Sequence, residues 1–322
     1  MKKELSYLET IKMIDETKKI FETQIEKRLG LIKVGSPLFV KKSSGLQDDL
    51  SGKEEAVSFY KGEEKFEIVH SLAKWKREAL GKYQFPKYTG LYTDMKAIRK
   101  DETVDETHSL YVEQWDWEKV IDKSDRTIDY LKETVKSIYK SIRQTYLIMK
   151  KKYTFLSMDL PKTIYFITSQ ELEDMYPTKT PKEREYLITK DKKAVFIIGI
   201  GDKLKSGIPH DLRSPDYDDW KLDGDLIIYD KQLDKAIELS SMGIRVDEES
   251  LKKQLEKSKC TDKLKLDYHQ KIIKQELPYT IGGGIGQSRI CMLILQKSHI
   301  VEVQQSSWEE KVLSGLKEYK VL

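Results

Sequence analysis

Apolar residues at helical spacing predict two long amphipathic helices. Between residues 7 and 29 they recur every three or four positions, with charged residues between them and Gly30 directly after. A second stretch of this kind runs from Asp125 to about Lys151. Residues 169–192 predict shorter helices, one of them opened by Thr180-Pro181, and residues 247–275 predict a charged, solvated helical connection.

Runs in which apolar and polar residues alternate, and runs that are almost wholly apolar, predict the strands of a sheet. Leu91–Arg99 and Ser109–Glu118 are expected to pair as antiparallel strands joined by a charged loop. On the second strand Gln114 and Asp116 point to the same side as apolar neighbours, where polar groups need partners that a bound amino acid could supply. A solvated outer face is the alternative interpretation.

The other predicted strands differ in how much of them is apolar. Ala194–Ile200 is almost wholly apolar, so we expect it to be central, whereas Pro37 in the segment 31–40 predicts an edge or an interface. That segment and the helix before it form either an ordinary helix-strand unit or a dimerisation element. The remaining strand predictions are Phe66–Val69, Thr163–Ile167, Asp225–Tyr229, Ala236–Arg245 and Ile300–Val303.

Composition narrows the class of protein. The chain has 322 residues, of which 35% are charged, no apolar run long enough to span a membrane and no apolar stretch behind its N-terminus that would indicate a secretory signal. With two cysteines, Cys260 and Cys291, a disulfide framework and a zinc site are excluded, and a reducing cytoplasm is expected. A net charge of +4 is too balanced to indicate nucleic acid by itself.

A glycine-rich stretch, Thr280–Leu295, is the first candidate for ligand binding. Its four glycines predict a loop with positive φ that approaches a ligand closely, and Arg289 then falls on the first turn of a helix. The stretch lacks the Gly-Lys-Ser/Thr ending of a P-loop and the spacing of a G-x-G-x-x-G motif. A nucleotide would suit it, and a plain turn remains the alternative. The glycines are Gly282, Gly283, Gly284 and Gly286.

Several polar segments are further candidates. Asp225 and Glu238, both on predicted strands, are the best candidates for holding Mg²⁺, which prefers carboxylates together with water and phosphates. The acidic loop 210–220 carries Arg213 and could hold a metal, a nucleotide or nothing. The loop 43–52 carries Asp48 and Asp49, and is either functional or simply solvated.

The segment 70–77 combines a predicted helix start with basic residues. Ser71 is expected to cap a helix that bears Lys74, Lys76 and Arg77, which either attract an anion or are merely exposed.

Several of these segments together resemble the class II aminoacyl-tRNA synthetases. Residues 28–37 resemble motif 1, a helix and strand that form the dimer and end in proline. Arg99 with Asp101 and Glu102 resembles motif 2, and Gly282–Arg289 resembles motif 3. The segment Glu238–Arg245 resembles the one before motif 3 in the aspartyl and asparaginyl enzymes. No anticodon-binding domain is expected ahead of motif 1.

Four more specific strings extend the resemblance over residues 7 to 305. They are residues 47–52, 70–77, 114–118 and 215–220. By these strings the chain is similar to the ammonia-dependent asparagine synthetase (aspartate–ammonia ligase) family. That resemblance implies an α/β (α+β) class II synthetase-like fold with a mixed, mostly antiparallel sheet flanked by helices, as a single catalytic domain over residues 1–322. It also implies a homodimer that makes asparagine, AMP and pyrophosphate from aspartate, ATP and ammonia through β-aspartyl adenylate, with no nucleic-acid or membrane partner.

The resemblance also implies roles for single residues. Arg99 would contact the α-phosphate of ATP and Arg289 the γ-phosphate, and Mg²⁺ on Asp225 and Glu238 would bridge phosphates. Asp48 would bind ammonium and accept its proton. The ATP site would further include Arg213, Asp218 and the four glycines Gly282, Gly283, Gly284 and Gly286. The aspartate site would consist of Asp116 and Gln114, of Ser71 and Lys76 for the carboxylates, and of Ser240 and Ser241 in the wall.

Two other functions compete with this one. A stand-alone synthetase-like protein could adenylate an amino acid and transfer it to tRNA or to another protein, although the near-neutral charge counts against tRNA binding. A catalytically dead regulatory paralogue would not need Arg99, Arg289 and both candidate metal carboxylates.

Overall fold

The computed structural model describes residues 5–50 and 54–322. Residues 1–4, which belong to the N-terminal stretch for which no secretory signal is predicted, lie outside this part, as do Ser51 and Gly52 of the predicted loop 43–52. The helices of the described residues are α1 (Tyr7–Leu29), α2 (Ala73–Lys82), α3 (Ile128–Lys152), α4 (Ser169–Met175), α5 (Pro181–Lys192), α6 (Glu248–Lys257), α7 (Asp267–Ile273), α8 (Gln287–Leu295) and α9 (Glu310–Ser314).

The strands form two sheets. An eight-stranded sheet has the order β1-β5-β6-β11-β10-β9-β8-β7; its central strands are antiparallel, and the outer pairs β1–β5 and β7–β8 are parallel. A three-stranded sheet has the order β2-β4-β3. The strands are β1 (Leu31–Lys33), β2 (Phe39–Lys41), β3 (Ser58–Lys61), β4 (Glu64–Ile68), β5 (Gly90–Ile98), β6 (Tyr111–Val120), β7 (Tyr165–Thr168), β8 (Ala194–Ile198), β9 (Asp218–Asp230), β10 (Lys235–Arg245) and β11 (Thr280–Gly286).

The two long helices form as the apolar spacing predicts. Ser6 and Glu9 form a reciprocal capping box at the start of α1, and Gly30 ends the helix with a left-handed φ of 70°. Helices α1, α3 and α8 cover one face of the large sheet with the largest apolar core, in which Phe21 lies 4.5 Å from the Trp115 ring. None of the helices in residues 5–50 and 54–322 has the length and apolar character needed to cross a membrane.

Strand β6 separates this core from the opposite face. Trp115 and Trp117 are fully buried against α1 and its neighbours, and the Trp115 indole donates to Glu22 of α1 at 3.0 Å. The alternate residues Gln114 and Asp116 therefore point away from the core. The predicted pairing of β5 with β6 is confirmed, and so is the alternation along β6.

The predicted extended segment 31–40 is two strands in two different sheets. Strand β1 lies at one edge of the large sheet and β2 at one edge of the small sheet, and Pro37 lies between them. A residue without a backbone N–H is compatible with this break and not with a continuous ladder. The prediction of an edge is thus confirmed, and the prediction of a single strand is wrong.

Three other predictions are corrected. Residues 300–302 form a 3-10 helix, not a strand. The apolar strand β8 is fully buried, but it lies next to the edge strand β7 and not at the centre of the sheet. Its apolar sequence reflects packing on both of its faces, and a strand near an edge can be covered on both faces too. The segment 247–275 is mostly helical but not merely solvated, since α6 and α7 bury side chains such as Leu251 and Tyr268.

The glycine-rich stretch is the largest correction. Thr280–Gly286 is strand β11, paired on both sides with β6 and β10, and none of its glycines has positive φ. The glycines are needed for close packing: a Cβ at Gly282 would overlap the Glu118 carboxylate, and one at Gly284 would overlap the Gln114 side chain. Only the helix that follows, with Arg289 on its first turn, is as predicted.

Replacing Gly282 with alanine should therefore destabilise the protein by overpacking, by roughly 1–3 kcal/mol. Urea unfolding of Gly282→Ala against the parent chain measures this loss. Gly35→Ala is the control, because a Cβ at Gly35 meets no atom within 4 Å. Equal stability of both variants would contradict the packing argument.

Candidate active site

A cavity of about 640 Å³ lies on the face of the large sheet to which Gln114 and Asp116 point. The ends or faces of β5, β6, β9, β10, β11 and the first turn of α8 contribute to its wall. Lys76 and Gly282 apart, all candidate site residues line it. These are Asp48, Ser71, Arg99, Gln114, Asp116, Arg213, Asp218, Asp225, Glu238, Ser240, Ser241, Gly283, Gly284, Gly286 and Arg289.

Asp48 is buried in one corner of the cavity. One carboxylate oxygen accepts a hydrogen bond from the Ser71 hydroxyl at 2.6 Å, and the other accepts from the backbone N–H of Leu50 at 2.8 Å. Ser71 is therefore committed to Asp48, and Leu72, not Ser71, occupies the N-cap position of α2. The prediction of a Ser71 cap is wrong, and the hydroxyl contributes to the site in a different way.

Lys76 lies behind the wall, not in it. Its side chain is fully buried, its ammonium contacts the Asp116 carboxylate, and it donates to the carbonyl of Gly283 at 3.2 Å. Burial lowers the pKa of Lys76, although Asp116 and Glu118 raise it. Lys76 therefore holds Asp116, which lines the cavity, and its own contact with the carboxylates of aspartate stays a prediction. Gly282 likewise faces Glu118 instead of the cavity.

Arg99 and Arg289 reach the cavity from two different elements. Arg99 directly follows β5, and its Nη2 donates to the carbonyl of His70 at 3.3 Å, while its Nε is buried without a partner among residues 5–50 and 54–322. Arg289 donates to the carbonyls of Glu238 at 2.9 Å and of Thr107 at 3.3 Å. Within the described residues neither guanidinium forms an ion pair, so both charges remain available to an anionic ligand.

Arg213 differs from these two arginines because carboxylates surround it. Nη2 lies 2.6 Å from Asp225, and Nε lies 3.5 Å from Asp223 and 3.9 Å from Asp218. Burial would lower the pKa of Arg213, but Asp225 and Asp223 raise it well above its ordinary value. The loop 210–220 thus supplies a cation that neutralises the acidic end of the cavity.

Asp225 and Glu238 converge on one hydroxyl. Ser241 donates to Asp225 at 2.6 Å and contacts Glu238 at 3.0 Å. Burial raises the pKa of Asp225 to about 6, with Arg213 opposing and Glu238 reinforcing the shift. Burial acts in the same direction on Glu238, but Arg289 and Lys182 outweigh it and lower its pKa.

Arg245 is a residue of the cavity wall that sequence reasoning missed. Its guanidinium is buried and binds Glu118, at 2.7 Å from Nη2, and also contacts Asp218. Burial would lower the pKa of Arg245, but Glu118 and Asp218 raise it well above the ordinary value. Glu118 follows Gln114 and Asp116 at period two on β6, and this second carboxylate on the same face was the available signal that a buried cation lies opposite.

Comparison with known proteins identifies the family. The family model for aspartate–ammonia ligase matches residues 8–320. Aspartate–ammonia ligases of Clostridium perfringens strain 13 and of Clostridium tetani are 57% and 53% identical to this chain. Each alignment covers 98% of this chain, with 95% of the first relative and 94% of the second. The chain belongs to the aspartate–ammonia ligase family. It is an enzyme, as the sequence predicts.

Solved structures confirm the fold class. An asparaginyl-tRNA synthetase of Entamoeba histolytica in complex with asparaginyl-adenylate matches with a TM-score of 0.69 at 12% identity, over 92% of this chain and 66% of that one. The asparaginyl-tRNA synthetase of Pyrococcus horikoshii complexed with asparaginyl-adenylate gives 0.67 at 13%, over 92% and 68%. At this identity the likeness shows that the chain has the class II synthetase fold.

Replacing Arg245 with glutamine should destabilise the fold strongly, because Glu118 and Asp218 would be left buried without their closest cation. Removing one partner of such a buried pair costs about 3–5 kcal/mol. Urea unfolding measures the loss.

The control for Arg245→Gln is Lys253→Gln. Lys253 forms an exposed pair with Glu249 on α6, and such pairs contribute about 0–1 kcal/mol. A similar loss in both variants would show that Arg245 does not neutralise the two buried carboxylates.

Proposed function

We propose that this chain makes L-asparagine from L-aspartate, ATP and ammonia through β-aspartyl adenylate, releasing AMP and pyrophosphate. One observation carries the proposal beyond family membership: Arg99 and Arg289, both without ion-pair partners in the described residues, line a single cavity together with the buried carboxylate Asp48. A triphosphate and an ammonium ion need such groups of opposite charge within one site.

The chemistry requires two steps. A carboxylate is a poor electrophile, so an oxygen of the aspartate β-carboxylate first attacks the α-phosphorus of ATP, and pyrophosphate leaves. Ammonia then attacks the activated β-carbonyl carbon, and AMP leaves with the bridging oxygen. Because ammonium has no free electron pair, it must lose a proton before it attacks, and a nearby carboxylate can accept it.

The two arginines suit the first step. Negative charge is redistributed over the phosphates as the bond to pyrophosphate breaks, and donors fixed in advance stabilise that charge most effectively. Backbone carbonyls, not carboxylates, hold Arg99 and Arg289 in place. Their orientation is thus defined, and in the described residues neither guanidinium is paired directly with a carboxylate. We assign Arg99 to the α-phosphate and Arg289 to the γ-phosphate.

Asp48 suits the second step. Its carboxylate is buried beside Ser71 and has no cation among its hydrogen-bond partners in the part of the chain described. A buried carboxylate in this state attracts a small cation such as ammonium. We therefore assign Asp48 to ammonium binding and proton acceptance.

Mg²⁺ would be held by Asp225 and Glu238. The residues present fit the ion, because two carboxylates that share the Ser241 hydroxyl point into the cavity, and Mg²⁺ typically binds one or two carboxylates with phosphates and water. The ion would neutralise phosphate charge when bound. Arg213 contacts one oxygen of Asp225, so the ion would share this carboxylate with the arginine.

The aspartate side of the cavity would include Gln114, Asp116 and Ser240. Asp116 is fixed by Lys76 and by the N–H of Leu72, and Ser240 donates to the carbonyl of Gly284. We assign Asp116 and Gln114 to the amino acid, with Ser71, Ser240 and Ser241 in the wall. Arg213, Asp218 and the glycines Gly283, Gly284 and Gly286 remain predictions for the nucleotide side.

A homodimer is the proposed assembly. Strand β1 leaves one edge of the large sheet open, and exposed apolar side chains lie on or near β1 and the small sheet. These are Ile32, Leu38, Phe39, Phe59 and Tyr60. The cytoplasmic location and the absence of a nucleic-acid partner stay predictions.

Incubation with aspartate, ATP and ¹⁵N-ammonium tests the proposed function. We expect ¹⁵N-asparagine and one AMP for each asparagine, with no requirement for tRNA. Release of ADP, or a requirement for tRNA, would contradict the proposal.

Arg99→Gln and Arg289→Gln should each lower the rate of aspartate-dependent pyrophosphate–ATP exchange by about 10²–10³. Arg143→Gln on α3, outside the cavity wall, serves as the control. If either cavity variant exchanged as fast as the control, its arginine would have no role in adenylate formation.

Asp48→Asn should separate the two steps. Adenylate formation, measured as pyrophosphate–ATP exchange, should persist, while asparagine formation falls by roughly 10²–10⁴ through loss of the proton acceptor. Asp262→Asn, at a fully solvated carboxylate, is the control. If Asp48→Asn formed asparagine at the full rate, Asp48 would not be the group that accepts the proton of ammonium.

Light scattering tests the dimer. The parent chain should show about twice the mass of its 37.7 kDa monomer, and Ile32→Glu combined with Tyr60→Glu should dissociate it. Ile208→Glu, at another exposed apolar residue, should leave the mass unchanged. A monomeric parent chain would contradict the assembly.

A further inference from the structure

A buried cluster of charged side chains lies beside the cavity but outside its wall. Asp216 is fully buried and accepts from the Lys74 ammonium at 2.6 Å and from Nε2 of His269 at 2.9 Å. Its other oxygen accepts from the Ser214 hydroxyl at 2.7 Å. Neither Asp216, Lys74 nor His269 lines the cavity, so these side chains do not reach a ligand there.

The cluster joins three segments that are distant in the sequence. Lys74 lies on the first turn of α2, Asp216 in the loop before β9, and His269 on α7. Lys263 adds a fourth contact: it lies 3.4 Å from Asp216 and 2.6 Å from Asp49. A single carboxylate thus organises the helices on this side of the cavity.

Asp216 is ionised in this setting. Burial would raise its pKa, but the Lys74 ammonium and the His269 ring lower it well below the ordinary value. Because an ionised carboxylate only accepts, Nε2 of His269 carries the hydrogen in this contact.

Lys74 connects the cluster to Asp48. The same ammonium that binds Asp216 also donates to the backbone carbonyl of Gln47 at 2.8 Å. The side-chain oxygen of Gln47 accepts from the N–H groups of Asp48 and His70, at 3.1 and 3.0 Å. The His70 ring in turn contacts the Asp48 carbonyl at 3.0 Å.

We propose that Asp216 is a positioning residue for the ammonia step: through Lys74 it fixes the main chain at Gln47 and so aims the Asp48 carboxylate into the cavity. The inference rests on the proposed function, in which Asp48 binds ammonium. It gives a role to Lys74, Asp216 and His269, which do not line the cavity and so do not contact a substrate there. Displacing a reacting group by about 1 Å can cost about 10²-fold in rate, so the fixing of this loop matters for catalysis.

The test uses the full-length enzyme with Lys74→Met and Asp216→Asn combined. The double variant removes the ion pair without leaving a buried charge unpaired. The matched control, Lys253→Met with Glu249→Gln, removes an exposed pair on α6. The KM for ammonium and the rate of aspartate-dependent pyrophosphate–ATP exchange are measured on each, together with thermal unfolding.

We expect the KM for ammonium to rise about tenfold or more in the double variant, while exchange stays within about twofold of the parent and control values. An unchanged KM in a folded double variant overturns the proposal. An equal loss of exchange and of ammonium use also overturns it, because it would show a general structural role. A parent enzyme that makes no asparagine would instead overturn the proposed function, so the two failures are distinguishable.

A milder variant keeps the test decisive if the double variant does not fold. Asp216→Glu keeps a carboxylate beside Lys74 but lengthens its side chain, which displaces the Lys74 ammonium from the Gln47 carbonyl. It should raise the KM for ammonium by a smaller factor, about twofold to fivefold, again with exchange unchanged. No change in this KM, with Asp262→Asn as the control, would overturn the proposal.

Discussion

The site depends on the neutralisation of carboxylates that face inward from one side of strand β6. Asp116 contacts Lys76, and Glu118 binds Arg245, which also contacts Asp218. Burying these charges without partners would cost several kcal/mol per ion. The wall of the cavity is thus stable only because Lys76 of α2 lies behind it and Arg245 of β10 lies within it.

This pairing determines which cations remain available. Arg213, Arg245 and Lys76 are committed to carboxylates, whereas backbone carbonyls hold Arg99 and Arg289 within the described residues. A site for a triphosphate needs positively charged side chains that are not already paired with carboxylates of its wall. The division of cations into those that hold the wall and those that face the ligand is what makes adenylation physically reasonable here.

Much of this arrangement could be predicted from the sequence. The alternation along β6 correctly placed Gln114 and Asp116 on the face opposite Trp115, because side-chain period is a local property of a strand. The resemblance to motifs 2 and 3 of the class II synthetases pointed to Arg99 and Arg289, which line one cavity although about 190 positions separate them. Long-range proximity of this kind came from the resemblance and not from any local pattern.

The sequence did not predict where the buried charges would lie. Lys74, Lys76 and Arg77 follow one another on α2 and were expected to be exposed or to attract an anion, yet all three are buried. Their partners, Asp216, Asp116 and the carbonyls of Pro278 and Val246, lie far along the chain. The prediction that the glycines of β11 form a loop failed for a similar reason. These glycines are needed because side chains of β6 pack against them, and the sequence does not show that β6 and β11 are paired.

The most direct test of adenylate chemistry follows the oxygen of the substrate. Aspartate labelled with ¹⁸O in its β-carboxylate is converted with ATP and ammonium, and the phosphorus products are analysed by mass spectrometry. Attack of that carboxylate on the α-phosphorus predicts one ¹⁸O atom in AMP and none in pyrophosphate. Unlabelled AMP, or ¹⁸O in inorganic phosphate with release of ADP, would contradict the account.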